Sequence, residues 1–531
     1  MENIEFFKSI DTIDKLNNPD TFKKFCAIQD SFTKIQAKEI LKGKAKEFKI
    51  TGFVGLLTQY EKEEKHKNKE HIKQKALEKK LLTTNYKHNE VATLLLADVN
   101  NKFYLFEGDL YYYSKKGYYT NDYTELDTQI IAYNEESTIK FRNEIPADLK
   151  IRLYNQPNNI KQNIDTNYIN FKNGLFSLNT FEFIPHSKDI FTLNQLNVNY
   201  YDIDSYNGDI YSESKECVDN FLNDITCNNS ERKKALLEMI GYSMTSKTDL
   251  QKSFMLYGSG ANGKSTLTNL IQAVIGNTNC ENLGLDKIIE DKFAISRLKN
   301  KILNVSEEMT TKYLNDSSII KEIITAEKIF VQAKYKDGQN IKNHAKFIFN
   351  INEFPKIADT SDGYYRRWHA IPFNARFDGV SKPLNTQLLF SEHAKEYLAF
   401  ISLKAYCNMV NYRKGFSNKT ESDKLIQAYK IANDNITSFL NDIESGLYYS
   451  IDKANKTWTK KCTEIYAIYK AYCLACSYCV KSKKHFYKTL QEAPYSNFIK
   501  KSISKGYDTY IVDITKYTSY LQSSQIDFST L

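Results

Sequence analysis

The chain has 531 residues, of which 41% are apolar, and its 73 basic and 64 acidic side chains give a formal net charge of +9. This length exceeds what one hydrophobic core organises, so we expect three or four domains. A mean hydropathy of −0.53 and the lack of apolar runs near 18 residues argue against a membrane span, while nine cysteines do not suit a disulfide framework.

We therefore expect a cytoplasmic protein, whose net positive charge is compatible with a nucleic-acid partner. Residues 1–95 predict a charged helical region, in which the run 61–80 is more typical of a solvated helix face than of a nucleic-acid arm. Residues 96–205 contain aromatic runs broken by turns, such as KFYLFEGDLYYY, and predict a β-rich α+β accessory module. Residues 206–250 predict a helical linker or collar.

A phosphate-binding loop follows, in the run YGSGANGKSTLTNLIQAVIGN. It fits G-x-x-x-x-G-K-[ST], and the apolar run SFMLY before it predicts the strand that this motif requires. Apolar residues at helical spacing after it predict a helix, whose N-terminus adds positive potential at the phosphates. We predict an ATPase domain over residues 251–430. The residues predicted to bind ATP are Gly258, Ser259, Gly260, Ala261, Asn262, Gly263, Lys264, Ser265 and Thr266.

Catalytic roles are predicted for residues in and after this loop. Lys264 would reach the β- and γ-phosphates, and Ser265 would supply its hydroxyl to Mg2+. The run KILNVSEE predicts a buried strand that ends in Glu307 and Glu308. Paired acids at a strand end can hold Mg2+ and position the attacking water, although such pairs also occur by chance. We predict Glu307 as a metal ligand with Ser265, and both acids as catalytic.

A hairpin is predicted by KIFVQAKYKDGQNIKNHAKFIF, which has two extended runs around a turn at Asp337 and Gly338. Lys334, Lys336 and Lys342 lie near this turn. Lysines that flank a hairpin turn are more often solvated than bound to nucleic acid, so the residues alone favour the solvated interpretation.

Two further motifs follow the hairpin. The strand in FIFNINEFP leads to Asn352, which would stand beside the γ-phosphate at the carboxyl edge of a parallel sheet. The run DGYYRRWHAIPF places Arg366 and Arg367 together, and an arginine there can act as a finger supplied by a neighbouring subunit. The sequence does not distinguish the two arginines. A surface charge or a strand cap is the alternative for each motif.

Residues 431–531 predict a winged-helix DNA-binding domain, because two helices, the helix KSKKHFYKTLQEA and two strands follow in that order. The predicted recognition helix carries Lys483, Lys484, His485 and Lys488, and the predicted wing carries Lys500, Lys501 and Lys505. A basic solvated domain without a DNA role is the alternative. The cysteines of CLACSYC lack a fourth ligand, so we interpret them as buried or helix-end residues.

Taken in order, the motifs GxxxxGKS, Glu-Glu, strand-Asn and Arg-Arg resemble a superfamily 3 helicase of the AAA+ class. The chain more closely resembles the poxvirus- and phage-type primase-helicases and the replication initiator helicases of staphylococcal pathogenicity islands. This resemblance runs from about residue 95 to residue 531. One departure is Ala326 and Glu327, where relatives often have Gly-Asp before the DNA-binding hairpin.

The resemblance implies a ring, usually a hexamer, that moves 3′ to 5′ on single-stranded DNA with ATP bound between subunits. It assigns Lys264 and Ser265 to the phosphate loop and Glu307 and Glu308 to Mg2+ and catalysis. It further assigns Asn352 as a sensor and either Arg366 or Arg367 as the finger. The hairpin with Lys334, Lys336 and Lys342 would contact the strand in the central channel.

The predicted fold class is multidomain α/β, with a central AAA+ ATPase, an α+β N-terminal module and a C-terminal winged helix. The predicted function is a replicative helicase and replication initiator of a phage or mobile genetic element. It would use ATP and Mg2+ and act on single-stranded, forked and origin duplex DNA as a homo-hexamer, away from membranes. Two alternatives stay open: an ATP-switched initiator that does not unwind DNA, and an AAA+ motor that acts on protein.

Overall fold

The structure is a computed structural model of the chain. It describes residues 6–16, 18–26, 31–50, 53, 55, 57–58, 86–134, 137–205, 211–307, 314, 316–332, 338–359, 361–377, 384–413, 415–445, 456–476, 478, 480–504 and 507–524. The chain divides into two compact units, which are Met1–Thr93 with Thr124–Ile145, and Leu94–Tyr123 with Pro146–Leu531. Helices alternate with strands, and the second unit contains a five-stranded parallel sheet. The protein is therefore of mixed α/β class, as predicted.

The first unit is helical in its described residues. Its helices are α1 (Ile13–Leu16), α2 (Pro19–Cys26), α3 (Ser31–Glu47), the first part of α4 (His88–Ala97), α5 (Thr124–Tyr133) and the first part of α6 (Ile139–Tyr154). Phe7, Phe25, Leu41 and Phe53 are buried in one apolar cluster, so this charged segment has a core of its own. The charged run 61–80 lies outside the described residues.

Two small antiparallel sheets precede the phosphate loop in the second unit. Their strands are β1 (Phe103–Phe106), β2 (Asp109–Tyr113), β3 (Tyr119–Thr120), β4 (Tyr168–Phe171), β5 (Gly174–Ser177) and β6 (Phe183–Ile184). The sheet orders are β1-β2-β3 and β4-β5-β6. Tyr104, Tyr111 and Tyr119 pack around Phe191, so the aromatic residues of this stretch form its core.

The central sheet of the second unit is entirely parallel. Its strands are β7 (Ser253–Tyr257), β8 (Cys280–Glu281), β9 (Leu303–Ser306), β12 (Lys346–Ile351) and β13 (Trp368–Pro372), in the order β13-β7-β12-β9-β8. Pro372 fits because β13 is an edge strand, where a missing N–H need not interrupt the ladder. Parallel strands end at the same edge, so the residues after β7, β9 and β12 come together.

Helices cover both faces of the central sheet. They are α7 (Ser212–Ile225), α8 (Ser230–Ser243), α9 (Lys264–Ile275), α10 (Leu285–Glu290), α11 (Ser318–Ile324), α12 (Asp362–Tyr365), α13 (Thr386–Leu389), α14 (Glu392–Asn408) and α15 (Lys419–Asn433). Phe254 and Leu256 of β7 join the core formed with α9 and α14, while Met255 joins the core formed with α10 and α15. No helix in the described part of the chain is long and apolar enough to cross a bilayer.

A separate hairpin consists of β10 (Lys328–Val331) and β11 (Gln339–Lys342), as the sequence predicted. Its residues Ile329, Val331 and Ile341 are buried in the same core as Met255. This packing fixes one face of the hairpin against the central sheet's helical layer. Lys334 and Lys336 lie outside the described residues.

The last described segment contains α16 (Asn435–Ser445), β14 (Thr457–Lys461), α17 (Cys462–Ala475), α18 (Lys483–Leu490), β15 (Ile499–Ser504), β16 (Tyr507–Asp513) and α19 (Ile514–Ser524). Its strands form an antiparallel sheet in the order β14-β16-β15. Cys473 is buried in the core of this segment and Cys476 follows the last residue of α17, as we predicted for helix-end cysteines. Cys479 lies outside the described residues.

Candidate functional site

The phosphate loop, residues 258–263, connects β7 to α9. Ala261 and Gly263 have left-handed backbone conformations, with φ of 56° and 84°. A Cβ atom on Gly258 would lie 2.3 Å from the backbone oxygen of Phe373, and one on Gly263 would lie 2.6 Å from Cγ2 of Ile225. The glycines therefore permit a tight loop before a helix N-terminus, a geometry that directs backbone N–H groups towards phosphate oxygens.

Lys264 is buried at the first position of α9, and its ammonium is held by the loop. Its Nζ donates to the backbone oxygen of Gly258 at 2.6 Å and to Oδ1 of Asn262 at 2.9 Å. Burial lowers the pKa of this ammonium below its ordinary value. Asn262 in turn donates to the backbone oxygens of Ser259 and Phe373, so the lysine and the loop support each other.

The chain after β13 lines the phosphate loop, a contact that the sequence did not predict. The backbone nitrogen of Phe373 donates to the Tyr257 oxygen at 2.7 Å, and that of Phe377 donates to the Ala261 oxygen at 2.9 Å. The Phe373 oxygen also accepts from Asn262 at 3.0 Å. Residues 373–377 thus brace the loop from its start to its middle. The apolar residues AIPF signal a strand, but not the pairing of the chain after this strand with a distant loop.

Two of the predicted polar residues lie at the same sheet edge as the loop. Glu307 directly follows β9 and Asn352 directly follows β12, and both are exposed. The Gly258 N–H donates to the Ile351 oxygen at 3.1 Å, which places Asn352 beside the first residue of the loop. Glu308 lies outside the described residues. The edge therefore combines a phosphate loop with a carboxylate and an amide.

A buried amide behind the loop, Asn350, was missed by the sequence reasoning. Its Nδ2 donates to Oγ1 of Thr268 at 3.3 Å, and that hydroxyl donates to the Lys264 backbone oxygen at 3.1 Å. The Oδ1 atom of Asn350 is buried without a hydrogen-bond partner among the described residues. Asn350 therefore supports the first turn of α9 from β12. Its signal in the sequence is a single polar residue within the apolar run FIFNI.

The two arginines lie at the amino ends of the parallel strands, whereas the loop lies at the carboxyl ends. They precede β13, whose first residue Trp368 pairs with Ser253, the first residue of β7. Arg366 is exposed, whereas Arg367 is buried and donates to the backbone oxygen of Gly363. Burial lowers the pKa of the Arg367 guanidinium. Arg366 therefore lies at the end of the strands that does not carry the loop of its own chain.

The predicted DNA-binding residues lie on the hairpin and on the C-terminal segment. Lys342 is half-buried at the end of β11. The exposed basic residues of α18 and β15 are Lys483, Lys484, His485, Lys488, Lys500 and Lys501. Lys501 pairs with Asp508 at 2.7 Å, so part of this charge is balanced locally. Lys334, Lys336 and Lys505 lie outside the described residues.

The residues at the loop edge fit ATP and Mg2+ by donor type. The loop and the N-terminus of α9 supply N–H groups for phosphate oxygens, and Lys264 supplies a positive charge. Ser265 and Glu307 are exposed and carry hydroxyl and carboxylate oxygens, the hard ligands that Mg2+ prefers, and Thr266 is half-buried beside them. Where the chain is described, no cluster of three or more His, Cys, Asp or Glu residues could hold a metal. The hydroxyl of Ser265 and the carboxylate of Glu307 suit a Mg2+ ion that also takes ligands from phosphates.

Known proteins match parts of this chain. Residues 138–227 match a family described as "D5 N terminal like", and residues 256–367 match a "Family of unknown function (DUF5906)". The chain is 26% identical over 234 residues to "Putative helicase L207/L206" of Acanthamoeba polyphaga mimivirus, a match that covers 42% of this chain and 23% of that relative. It thus spans less than a quarter of that relative's length.

Solved structures of the NrS-1 C terminal region also show a partial likeness. Two apo structures of that region are 18% and 16% identical to this chain. The matches cover 56% of this chain and 74% and 75% of theirs, each with a TM-score of 0.33.

Proposed function

We propose that the chain is an ATP-dependent replicative DNA helicase and replication initiator of a phage or other mobile genetic element, working in the cytoplasm. The observation that carries the proposal is the single sheet edge that holds the phosphate loop, Glu307 and Asn352. The partial similarity to the mimivirus protein named "Putative helicase L207/L206" supports it. In this proposal the central sheet and those of its helices that lie within residues 251–430 form an AAA+ ATPase of superfamily 3.

ATP hydrolysis is assigned to this edge. The loop N–H groups and Lys264 bind the phosphates, while Ser265 and Glu307 hold Mg2+, which neutralises charge that develops on the phosphate oxygens. Glu308 positions the attacking water, and Asn352 contacts the γ-phosphate. Paired acids and an amide at a γ-phosphate suit water as the acceptor, which favours a hydrolase over a kinase.

Arg366 is assigned to the ATP of a neighbouring subunit. It is exposed and lies at the far edge of its own sheet, whereas Arg367 is buried and bound to Gly363. A closed ring is compatible with this arrangement, because Arg366 of each subunit can then contact the ATP bound at the phosphate loop of the next subunit. We propose a homo-hexamer that moves 3′ to 5′, with Lys334, Lys336 and Lys342 of the hairpin on a single strand.

Strand displacement tests this function. The full-length protein with ATP and Mg2+ should release a labelled strand from forked DNA, and single-stranded DNA should raise its rate of ATP hydrolysis. Nucleotide-dependent duplex binding without displacement would instead support the non-unwinding initiator. Hydrolysis that DNA leaves unchanged would support a motor that acts on protein.

The C-terminal segment, residues 431–531, is assigned as a winged helix that binds origin duplex. Phe486 and Leu490 of α18 are buried, so the opposite face of this short helix is free to enter a major groove. Lys483, Lys484, His485 and Lys488 occupy the exposed positions. The strands β15 and β16 then form the wing, from which Lys500, Lys501 and Lys505 would reach phosphates.

Two substitutions separate base recognition from phosphate contact in this segment. The first uses a duplex selected from a random pool and a scrambled duplex. Because Lys484 is assigned to base edges, Lys484→Ala should reduce the difference in binding free energy between these duplexes by about 1–3 kcal/mol. Lys500→Ala should weaken both duplexes about equally and lower the salt slope by roughly one unit. Competition binding at several salt concentrations measures both effects.

Lys516→Ala is the matched control, because Lys516 is an exposed lysine of α19, outside the predicted recognition helix and wing. It should leave both duplexes bound as in the wild type.

If a chain without residues 431–531 discriminates the two duplexes as well as the full chain does, origin recognition lies elsewhere.

A further inference from the structure

The outer side of the β10–β11 hairpin carries a distinct set of side chains. Burial alternates along β10, so Lys328 and Phe330 face away from the buried Ile329 and Val331. The register places Lys342 opposite Lys328, and Asn340 opposite Phe330. We call Lys328, Phe330, Asn340 and Lys342 the hairpin face.

Two positive charges stand directly opposite each other on the hairpin face. Cross-strand partners have Cβ atoms about 4.5–5.5 Å apart, and like charges at this spacing destabilise a hairpin. The carboxylate of Glu107 lies next to the pair and accepts a bond from the backbone nitrogen of Lys342 at 2.9 Å. The pair carries two positive charges beside a single carboxylate, and a polyanion would relieve the repulsion between them.

The hairpin is nevertheless anchored near its turn, where Gln339 is the first residue of β11. The ammonium of Lys299 bridges Oδ2 of Asp109 at 2.6 Å and Oε1 of Gln339 at 3.0 Å. Together with the buried face of the hairpin, this bridge holds the hairpin face in a fixed position. A fixed platform binds a ligand with a smaller loss of conformational entropy than a mobile loop does.

Phe330 places a large aromatic ring in solvent beside this pair of charges. Its relative exposure is 69%. The ring lies over Gly338, because a Cβ atom on that glycine would lie 2.0 Å from Cζ of Phe330. The ring is thus supported by the turn while most of its surface stays open. An exposed aromatic ring beside lysines suits single-stranded nucleic acids, because the ring can stack on a base while the positive charges attract the backbone.

We infer that the hairpin face binds a single nucleic-acid strand by base stacking, with Phe330 against a base and Lys328 and Lys342 on flanking phosphates. The inference rests on the proposed function and adds a contact to the bases themselves. Stacking tolerates any sequence, because every base has a π face, so it suits a protein that moves along a strand. Duplex DNA is disfavoured as the ligand, because its bases are already stacked on one another.

An abasic strand separates stacking from phosphate contact. Two labelled oligomers of equal length, oligothymidylate and its fully abasic counterpart, are titrated with the full-length protein and a non-hydrolysable ATP analogue. The wild type should bind the thymidylate more tightly by roughly 5- to 150-fold, the range expected for one stacked base. Phe330→Ala should remove most of this preference, and Phe330→Trp should restore it.

Lys328→Ala is the matched comparison, because it removes a phosphate contact and leaves the ring. It should weaken both oligomers by similar factors and lower the single-strand salt slope by roughly 0.7. Melting temperatures measured in parallel check that each variant is folded. If Phe330→Ala keeps the wild-type preference, or if the wild type binds both oligomers equally, the stacking inference fails while the proposed function stands. If the wild type binds neither oligomer, both fail.

Discussion

Lys264→Ala should lower the rate of ATP hydrolysis by roughly 10²- to 10³-fold, the loss typical of removing one preorganised donor to developing charge. The Lys264 ammonium is buried and donates to Gly258 and Asn262 within the phosphate loop, so the substitution removes a positive charge that the loop holds in place. Phosphate release at saturating ATP measures the effect, and strand displacement should be lost with it.

The control for this substitution is Lys287→Ala, because Lys287 is an exposed lysine of α10 on the other side of the sheet. It should hydrolyse ATP at the wild-type rate. Turnover close to wild type in a folded Lys264→Ala protein would show that the loop is not the hydrolytic site.

Arg366→Ala should reduce hydrolysis by about 10³- to 10⁵-fold, the range for loss of an arginine finger. Unlike a defect within one active site, this defect should be compensated by a neighbouring subunit, because Arg366 lies at the end of the sheet away from its own loop. When the two inactive variants are mixed, some interfaces join an intact Lys264 to an intact Arg366. These interfaces should recover part of the lost hydrolysis.

The mixing experiment requires proof that mixed assemblies form, for instance by co-purification of differently tagged variants. Arg297→Ala serves as the control for loss of an exposed arginine. Arg297 pairs with Glu281 of β8, the edge strand on the opposite side of the sheet from β13, so it is not assigned to the ATP site. Mixed assemblies that hydrolyse no more ATP than either variant alone would contradict action between subunits.

Features set by local sequence could be predicted, and features set by long-range pairing could not. The phosphate loop and α9 follow from glycine spacing and helical periodicity within one short run. The ends of β9 and β12 follow from apolar runs that stop at Glu307 and Asn352. That Glu307 and Asn352 lie at the same edge of the sheet depends on β9 and β12 being parallel neighbours. The structure shows this pairing, and the sequence does not.

The adjacent arginines illustrate the same limit. In the sequence they are equivalent, but in the structure one turn of backbone after α12 leaves Arg366 in solvent and buries Arg367 against Gly363. The brace formed by residues 373–377 and the buried amide of Asn350 were likewise not predicted, because each depends on a partner far away in the chain. The roles of these side chains in hydrolysis stay predictions.

The attachment of β13 at both of its ends constrains how the gene can change. At one end the Ser253 N–H donates to the Arg367 oxygen at 2.8 Å, and at the other the Phe373 N–H donates to the Tyr257 oxygen. A single inserted or deleted codon between these points would either break one attachment or turn the following side chains to the opposite face of the sheet. Substitutions that preserve size and polarity are compatible with this segment. Changes in its length are not, even though the segment includes no residue assigned to chemistry.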